Sequence, residues 1–224
     1  MQPYLFPYIG YFQLLGVVDN YVVYDDVGYI KGGWINRNNI LMNGGRRLLS
    51  VSLAHASPNK RINEIDILDD FIGFRKTIFH AYAKAPHLKP VMKLLEEICA
   101  FEDKNLARFA VHSLTKIANY LEIDTKLTVS SQLNKNSSLR AQDKVLHICE
   151  LLGSDMYVNA IGGRGLYRRE DFEIRGIDLK FLQTNDLQYV QFGGDFVSNL
   201  SIIDVMMFND LKSIKIMLNN CQLV

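Results

Sequence analysis

Four short β-branched or aromatic runs constrain this chain most: Tyr21 to Asp25, Lys126 to Ser131, Met156 to Asn159 and Leu179 to Gln183. Each is too short for a helix and reads as a strand. Between them lie stretches whose apolar residues recur at helical spacing. Strand, helices, strand, helix, strand is the order of a parallel sheet in an α/β protein. The expected architecture is therefore α/β, a Rossmann-like and mostly parallel sheet flanked by helices. Residues 70–122 form a helical insertion, and residues 1–224 form a single domain.

Pro3 and Pro7 fix their own φ and bias Gln2 and Phe6 away from helix, so the first residues should be extended or looped. A short helix is expected over Tyr11 to Val18. Asn43-Gly44-Gly45 between two apolar runs reads as a hairpin turn. Ile62 to Ile67 alternates apolar and polar residues and reads as a strand or edge segment. Helices are expected over Asp70 to Ala85, Leu88 to Phe101 and Lys104 to Leu121. In the last of these, Leu106, Phe109, Ala110, Leu114, Ile117 and Leu121 make one apolar stripe. A helix over Leu139 to Leu152 should stop at Gly153, and two more are expected around Ile202 to Phe208 and Leu211 to Leu218.

The opening stretch, Met1 to Ile40, holds the single Trp and a dense set of Tyr and Phe interleaved with amides, carboxylates and cations. A core needs the aromatics alone. Aromatic faces beside polar groups also suit a pocket for a polar, ring-containing ligand. The chain carries 25 Lys and Arg against 24 Asp and Glu, a formal net charge of +1, which gives no global signature of nucleic-acid or membrane binding. Three widely spaced Cys, without a C-x-x-C, read as reduced thiols of a cytoplasmic protein. No apolar run approaches the roughly 20 residues of a membrane span. The five His show no metal spacing, so no metal ligands are assigned.

Gln2-Pro3-Tyr4-Leu5-Phe6-Pro7-Tyr8-Ile9-Gly10-Tyr11-Phe12, Tyr24-Asp25-Asp26-Val27 and Trp34-Ile35-Asn36-Arg37-Asn38-Asn39-Ile40 resemble the WbqC-like family. Ser130-Ser131, Gly162 to Tyr167, Tyr189-Val190-Gln191 and Ser201 to Asp204 extend the resemblance over nearly the whole chain. It implies a bacterial protein of surface-polysaccharide (O-antigen) gene clusters that transfers glycine or another amino acid to an amino sugar. Members of the family begin with a short apolar strand ahead of Gln-Pro. The resemblance thus implies a first strand that is shortened here or lies upstream of Met1, weakening the sheet at its centre. The opening also looks like that of nucleotidyltransferases such as pantothenate synthetase. Their His-x-Gly-His turn is replaced here by Tyr8-Ile9-Gly10-Tyr11, which speaks against nucleotide activation.

Forming an amide at neutral pH requires an activated acyl donor. ATP with Mg²⁺ could supply it as an acyl phosphate or adenylate; a carrier or aminoacyl-tRNA could supply it ready-made. Both routes need cations for the developing oxyanion and a base for the ammonium proton. Asp25 is the expected base, at the carboxyl end of a strand where open α/β sheets bind ligands. Lys31 and Arg37 are the expected catalytic cations. Gln2, Tyr4, Tyr11, Asp26, Trp34, Asn36, Asn38, Gly162, Arg164, Tyr167 and Gln191 are the expected contacts to a nucleotide-linked amino sugar. The alternative is a non-catalytic nucleotide-sugar or glycan-precursor binder, or a partner subunit of the biosynthetic complex. The residues leave the oligomeric state open, a homodimer included.

Overall fold

The computed structural model describes residues 1–224, a mixed α/β fold of eight α-helices and nine strands. After a looped Met1 to Tyr8, α1 (Ile9–Gly16) leads to β1 (Asn20–Val23). The strands β2 (Arg37–Met42) and β3 (Gly45–Ser50) form an antiparallel hairpin. Its two turn residues, Asn43 and Gly44, have φ of 53° and 75°, the mirror-image turn whose twist matches the flanking strands.

The segment Ile62 to Ile67 departs from the expected strand. Ile62–Glu64 is a 3-10 turn, and only β5 (Asp66–Ile67) pairs, antiparallel with β4 (Leu53–Ala54). The Glu64 carboxylate accepts the Arg61 N–H, which favours the turn over an extended chain. Three helices follow, α2 (Ile72–Ala81), α3 (Leu88–Cys99) and α4 (Leu106–Tyr120). The first ends earlier than its periodicity suggests, and Ala83 to Pro86 are turn and loop before α3.

The expected α4 stripe is fully inside, with Leu106, Phe109, Ala110, Leu114, Ile117 and Leu121 each no more than 1% exposed. At about 1.5–3 kcal/mol for each large side chain removed from water, this stripe anchors the three helices to the rest. The main core of 41 residues, running from Leu5 to Ile214, includes side chains of all three, and a smaller cluster of six lies around Phe172.

The helix α4 delivers β6 (Lys126–Val129), which pairs in parallel with β1. Next come α5 (Ala141–Leu152), β7 (Met156–Ala160), α6 (Arg169–Glu173) and β8 (Asp178–Thr184). As expected, α5 stops at Gly153, whose φ of +63° suits glycine. The strand β7 pairs in parallel with β8. After α7 (Ile202–Phe208) and α8 (Leu211–Asn219), a short β9 (Cys221–Leu223) adds antiparallel to β8. Its three residues are too few to stand out in the sequence.

The single, mostly parallel sheet expected from the strand order is not present as one sheet. The β1–β6 pair and the β7–β8–β9 sheet are separate, with no ladder between β1 and β7. Met1 shows why. Its amino group donates to Val22 O at 2.8 Å and its carbonyl accepts Tyr24 N–H at 2.7 Å, the contacts of one residue of a parallel strand laid on β1. That pairing extends over Met1 alone. Beyond it, β1 and β7 face each other across a cavity.

Candidate active site

The aromatic opening loop is braced before it can line anything. Asn38 Nδ2 donates to Leu5 O and Phe6 O, and Ser201 Oγ donates to Phe6 O, holding Phe6 at a φ of 44°. Ile202 N–H closes onto Pro7 O. Asn38 therefore makes backbone contacts to the loop rather than facing an open space.

The larger cavity, about 720 Å³, lies between β1 and β7. Gln2, Tyr4, Tyr8 and Tyr24 wall it on one side, and Tyr157, Asn159, Gly162, Gly163 and Tyr167 on the other. Asn159 Nδ2 donates to the hydroxyls of Tyr157 and Tyr167, which lie 3.0 Å apart. Glycine at 163 lets the backbone pass close to Asn159, since a Cβ there would come within 3.3 Å of its amide.

Beyond β1, where its carboxyl end meets that of β6, sits a charged cluster. Asp26 Oδ2 is 3.0 Å from Lys135 Nζ and 3.7 Å from Lys144 Nζ, and all three side chains are nearly buried, at 11%, 5% and 13% exposure. Lys135 also donates to Ser130 O. Lys144 stands 5.4 Å from the centre of the Tyr24 ring, a cation–π contact that ties the cluster to the cavity wall. Burial alone would raise the Asp26 pKa. The Lys135 ammonium, the nearby Ser130 hydroxyl and Lys144 outweigh it and hold the carboxyl below its ordinary value. Asp26 Oδ1 and Ser130 Oγ are buried and make no hydrogen bond. Tyr24, by contrast, is pushed up to about 12, by burial first and then by the Asp26 charge and Tyr167.

Asp25 points elsewhere, as neighbours on an extended chain do. It is 2% exposed and accepts Ser131 N–H at 2.9 Å, Ser131 Oγ–H at 2.6 Å and Asn63 Nδ2–H at 3.1 Å. It lines a second cavity of about 420 Å³ with Asn105, Arg108, His112 and Gln132.

Gln2, Tyr4, Gly162 and Tyr167 thus meet around the larger cavity, with Asp26 close behind Tyr24. The other expected residues are dispersed. Tyr11 is buried, its hydroxyl donating to Gln2 O. Arg37 donates to Gly32 O and to Gly33 O at 2.9 Å and lies 5.7 Å over the Trp34 ring. Asn36 bridges Tyr29 and Val51 O. Lys31 and Arg164 are exposed and line neither cavity. Gln191 donates to Asp204, a fully buried carboxylate that also accepts the hydroxyls of Tyr82 and Tyr189. The sequence does not mark Lys135, Lys144 or Asn159 for a site, and Asp204 stands only at the end of a motif. Lys135 lies in a polar loop and Lys144 on a helix, with no motif to mark either. No three His, Cys, Asp or Glu side chains come together as a metal-holding group, and no helix is long and apolar enough to cross a membrane. The three cysteines are free thiols, and burial pushes Cys149 up to about 11.

The family model of the WbqC-like protein family matches residues 2–216, almost the entire chain. The chain belongs to the WbqC-like family. A relative, the uncharacterized protein Rv1507c of Mycobacterium tuberculosis (strain ATCC 25618 / H37Rv), is 26% identical over 205 residues, covering 89% of this chain and 88% of that protein. No solved structure matches significantly. The 2–216 match takes in the braced loop, both cavities and the Asp26 cluster, so all belong to the WbqC-like portion of the chain.

Proposed function

We propose that this WbqC-like protein is a cytoplasmic transferase or ligase. It places an aminoacyl group, glycyl by preference, on the amine of a nucleotide-linked amino sugar in surface-polysaccharide synthesis. The observation that carries the reading is the buried cluster of one carboxylate and two lysines, which Lys144 ties to the Tyr24 wall of the aromatic cavity. In this mechanism the sugar amine's lone pair forms the C–N bond to the acyl carbon. The activating oxygen leaves with the C–O electron pair, and Asp26 Oδ1 takes the ammonium proton. Lys135 and Lys144 stabilise the oxyanion and the departing group. They assume the cationic role expected of Lys31 and Arg37: like those two they line neither cavity, but they pair with Asp26 and reach the cavity wall through the Tyr24 ring. Tyr4, Tyr24 and Tyr167 offer faces for the sugar or base.

Where ATP activates the donor, its Mg²⁺ needs oxygen ligands, and Asp26, already paired with two lysines, does not fit that role, so the substrate phosphates and water would have to hold the ion. The same reading takes the β1–β6 pair and the β7–β8–β9 sheet as the two halves of one Rossmann-like arrangement, parted by the aromatic cavity. Residues 70–122 are then a helical insertion in one domain.

The test supplies purified protein with dTDP- or UDP-amino sugars, glycine, ATP and Mg²⁺, and separately with glycyl-tRNA, and reads products by mass spectrometry. An aminoacylated sugar that disappears in Asp26→Asn supports the reading. No product from any donor removes it. A second reading, a non-catalytic glycan-precursor binder, draws support from Arg37 and Asn36, which are held by internal hydrogen bonds. It predicts that Asp26→Asn changes ligand affinity with no turnover to lose.

A further inference from the structure

We propose that the second cavity is a separate binding site for a small primary ammonium compound, with Asp25 receiving the ammonium. An α-amino acid is the class that fits. This choice of class rests on the transferase reading, whereas the ammonium site stands on geometry alone. The cavity shares no lining residue with the larger one, and at about 420 Å³ it is of ligand size. Only four of its eleven lining residues are hydrophobic, so it is no packing defect of the core.

Its floor carries Asp25, a buried carboxylate whose partners are all neutral: Ser131 and Asn63. The ion pairs nearby belong to Asp26. A carboxylate offers about four lone-pair sites, and three are filled. What remains is a buried negative charge with an open acceptor position, which a cation relieves.

His112 supplies a second, independent observation. Its ring stacks on Phe101 with centroids 4.2 Å apart, and its Nε2 is buried without a hydrogen-bond partner. Burial and then Lys116 hold its pKa below the ordinary value, so it enters as a neutral imidazole able to accept a proton donor. Arg108 lies on the rim, its Nε and Nη2 bound to Asp103. Its remaining Nη1 can meet a carboxylate, which distinguishes an amino acid from a simple amine. Ala107, Val111, Val129 and Phe101 close the apolar side.

Calorimetric titration of the full chain with glycine, methylammonium chloride and sodium acetate, without sugar or nucleotide, tests the site. Glycine and methylammonium should bind and compete, and acetate should not bind. Val111→Phe, which fills the cavity without touching Asp25, should abolish both. Asp25→Asn should weaken both at least tenfold, and Arg108→Gln should weaken glycine alone. Acetate binding as well as glycine, no binding by either amine at millimolar concentration, or glycine binding unchanged in Val111→Phe would overturn the site. Thermal melts identify an Asp25→Asn protein that has unfolded, and Val111→Phe then decides. Glycine binding without aminoacylated sugar from any donor counts against the transferase reading alone. Turnover retained in Val111→Phe counts against this site alone.

Discussion

Asp204→Ala probes the node that ties three distant segments together. The carboxylate accepts Tyr82 O–H at 2.7 Å, Tyr189 O–H at 2.6 Å and Gln191 Nε2–H at 2.8 Å, and it is completely buried. Tyr82 in turn accepts Leu41 N–H from the hairpin, and Gln191 also donates to Val197 O at 3.2 Å. Hydrogen bonds to a charged acceptor are worth about 1.5–3 kcal/mol each, so three set an upper range near 4.5–9 kcal/mol. Gln191 keeps a second acceptor, and water entering the space left by the carboxylate relieves part of the remainder. The expected cost is about 4 kcal/mol. In a protein of this size each kcal/mol lowers Tm by about 2–4 °C, giving a fall of about 8–16 °C by calorimetry. Asp204→Asn keeps one oxygen but turns an NH₂ toward donors and should fall between the two proteins. Burial raises the Asp204 pKa despite its three donors. Its contribution is therefore fully present below the unfolded carboxyl pKa and declines as pH rises through the folded value, a dependence both variants should lose. A Tm drop under about 3 °C in Asp204→Ala would refute the node.

Three other outcomes are expected. Lys135→Met should lower aminoacyl-sugar formation at least about 100-fold, as loss of an oxyanion donor does, while the melt shows a folded protein. Gly10→Ala would bring a Cβ within 2.5 Å of Tyr8 Cε2 and 2.9 Å of Thr184 Oγ1, which itself donates to Gln13; a loss of about 1–3 kcal/mol in denaturant unfolding should follow. Burial lowers the Met1 amino group from 8.0 to about 5, so the stability of the chain that begins at Met1 should rise with pH through that window. Melts that do not change between pH 5.5 and 8.5 would refute that titration.

Much of the fold was legible because it is set by near neighbours. The α4 stripe, the Asn43-Gly44 turn and the Gly153 stop follow from helical spacing and positive φ, which act over a few residues. Ile62 to Ile67 misled because apolar alternation fits a 3-10 turn followed by a short strand as well as one longer strand. At the site, Asp25-Asp26 was visible as a pair at a strand end. Their opposite fates, one clasped by Ser131 and Asn63 and the other by Lys135 and Lys144, depend on residues between 38 and 118 positions away.

The sequence by itself determined the α/β class, most of the helices and the family, because those rest on local periodicity and on motifs of contiguous residues. Tertiary structure alone decided which polar groups face a cavity. Arg37, Asn36 and Asn38 look like ligand contacts in one dimension, yet backbone carbonyls and neighbouring side chains satisfy them in three. Lys135 and Lys144, unmarked along the chain, become a charge cluster around Asp26 only when α5 and the loop before it close over the carboxyl ends of β1 and β6. Burial there strengthens the attraction between the opposite charges beyond that of a solvated surface pair.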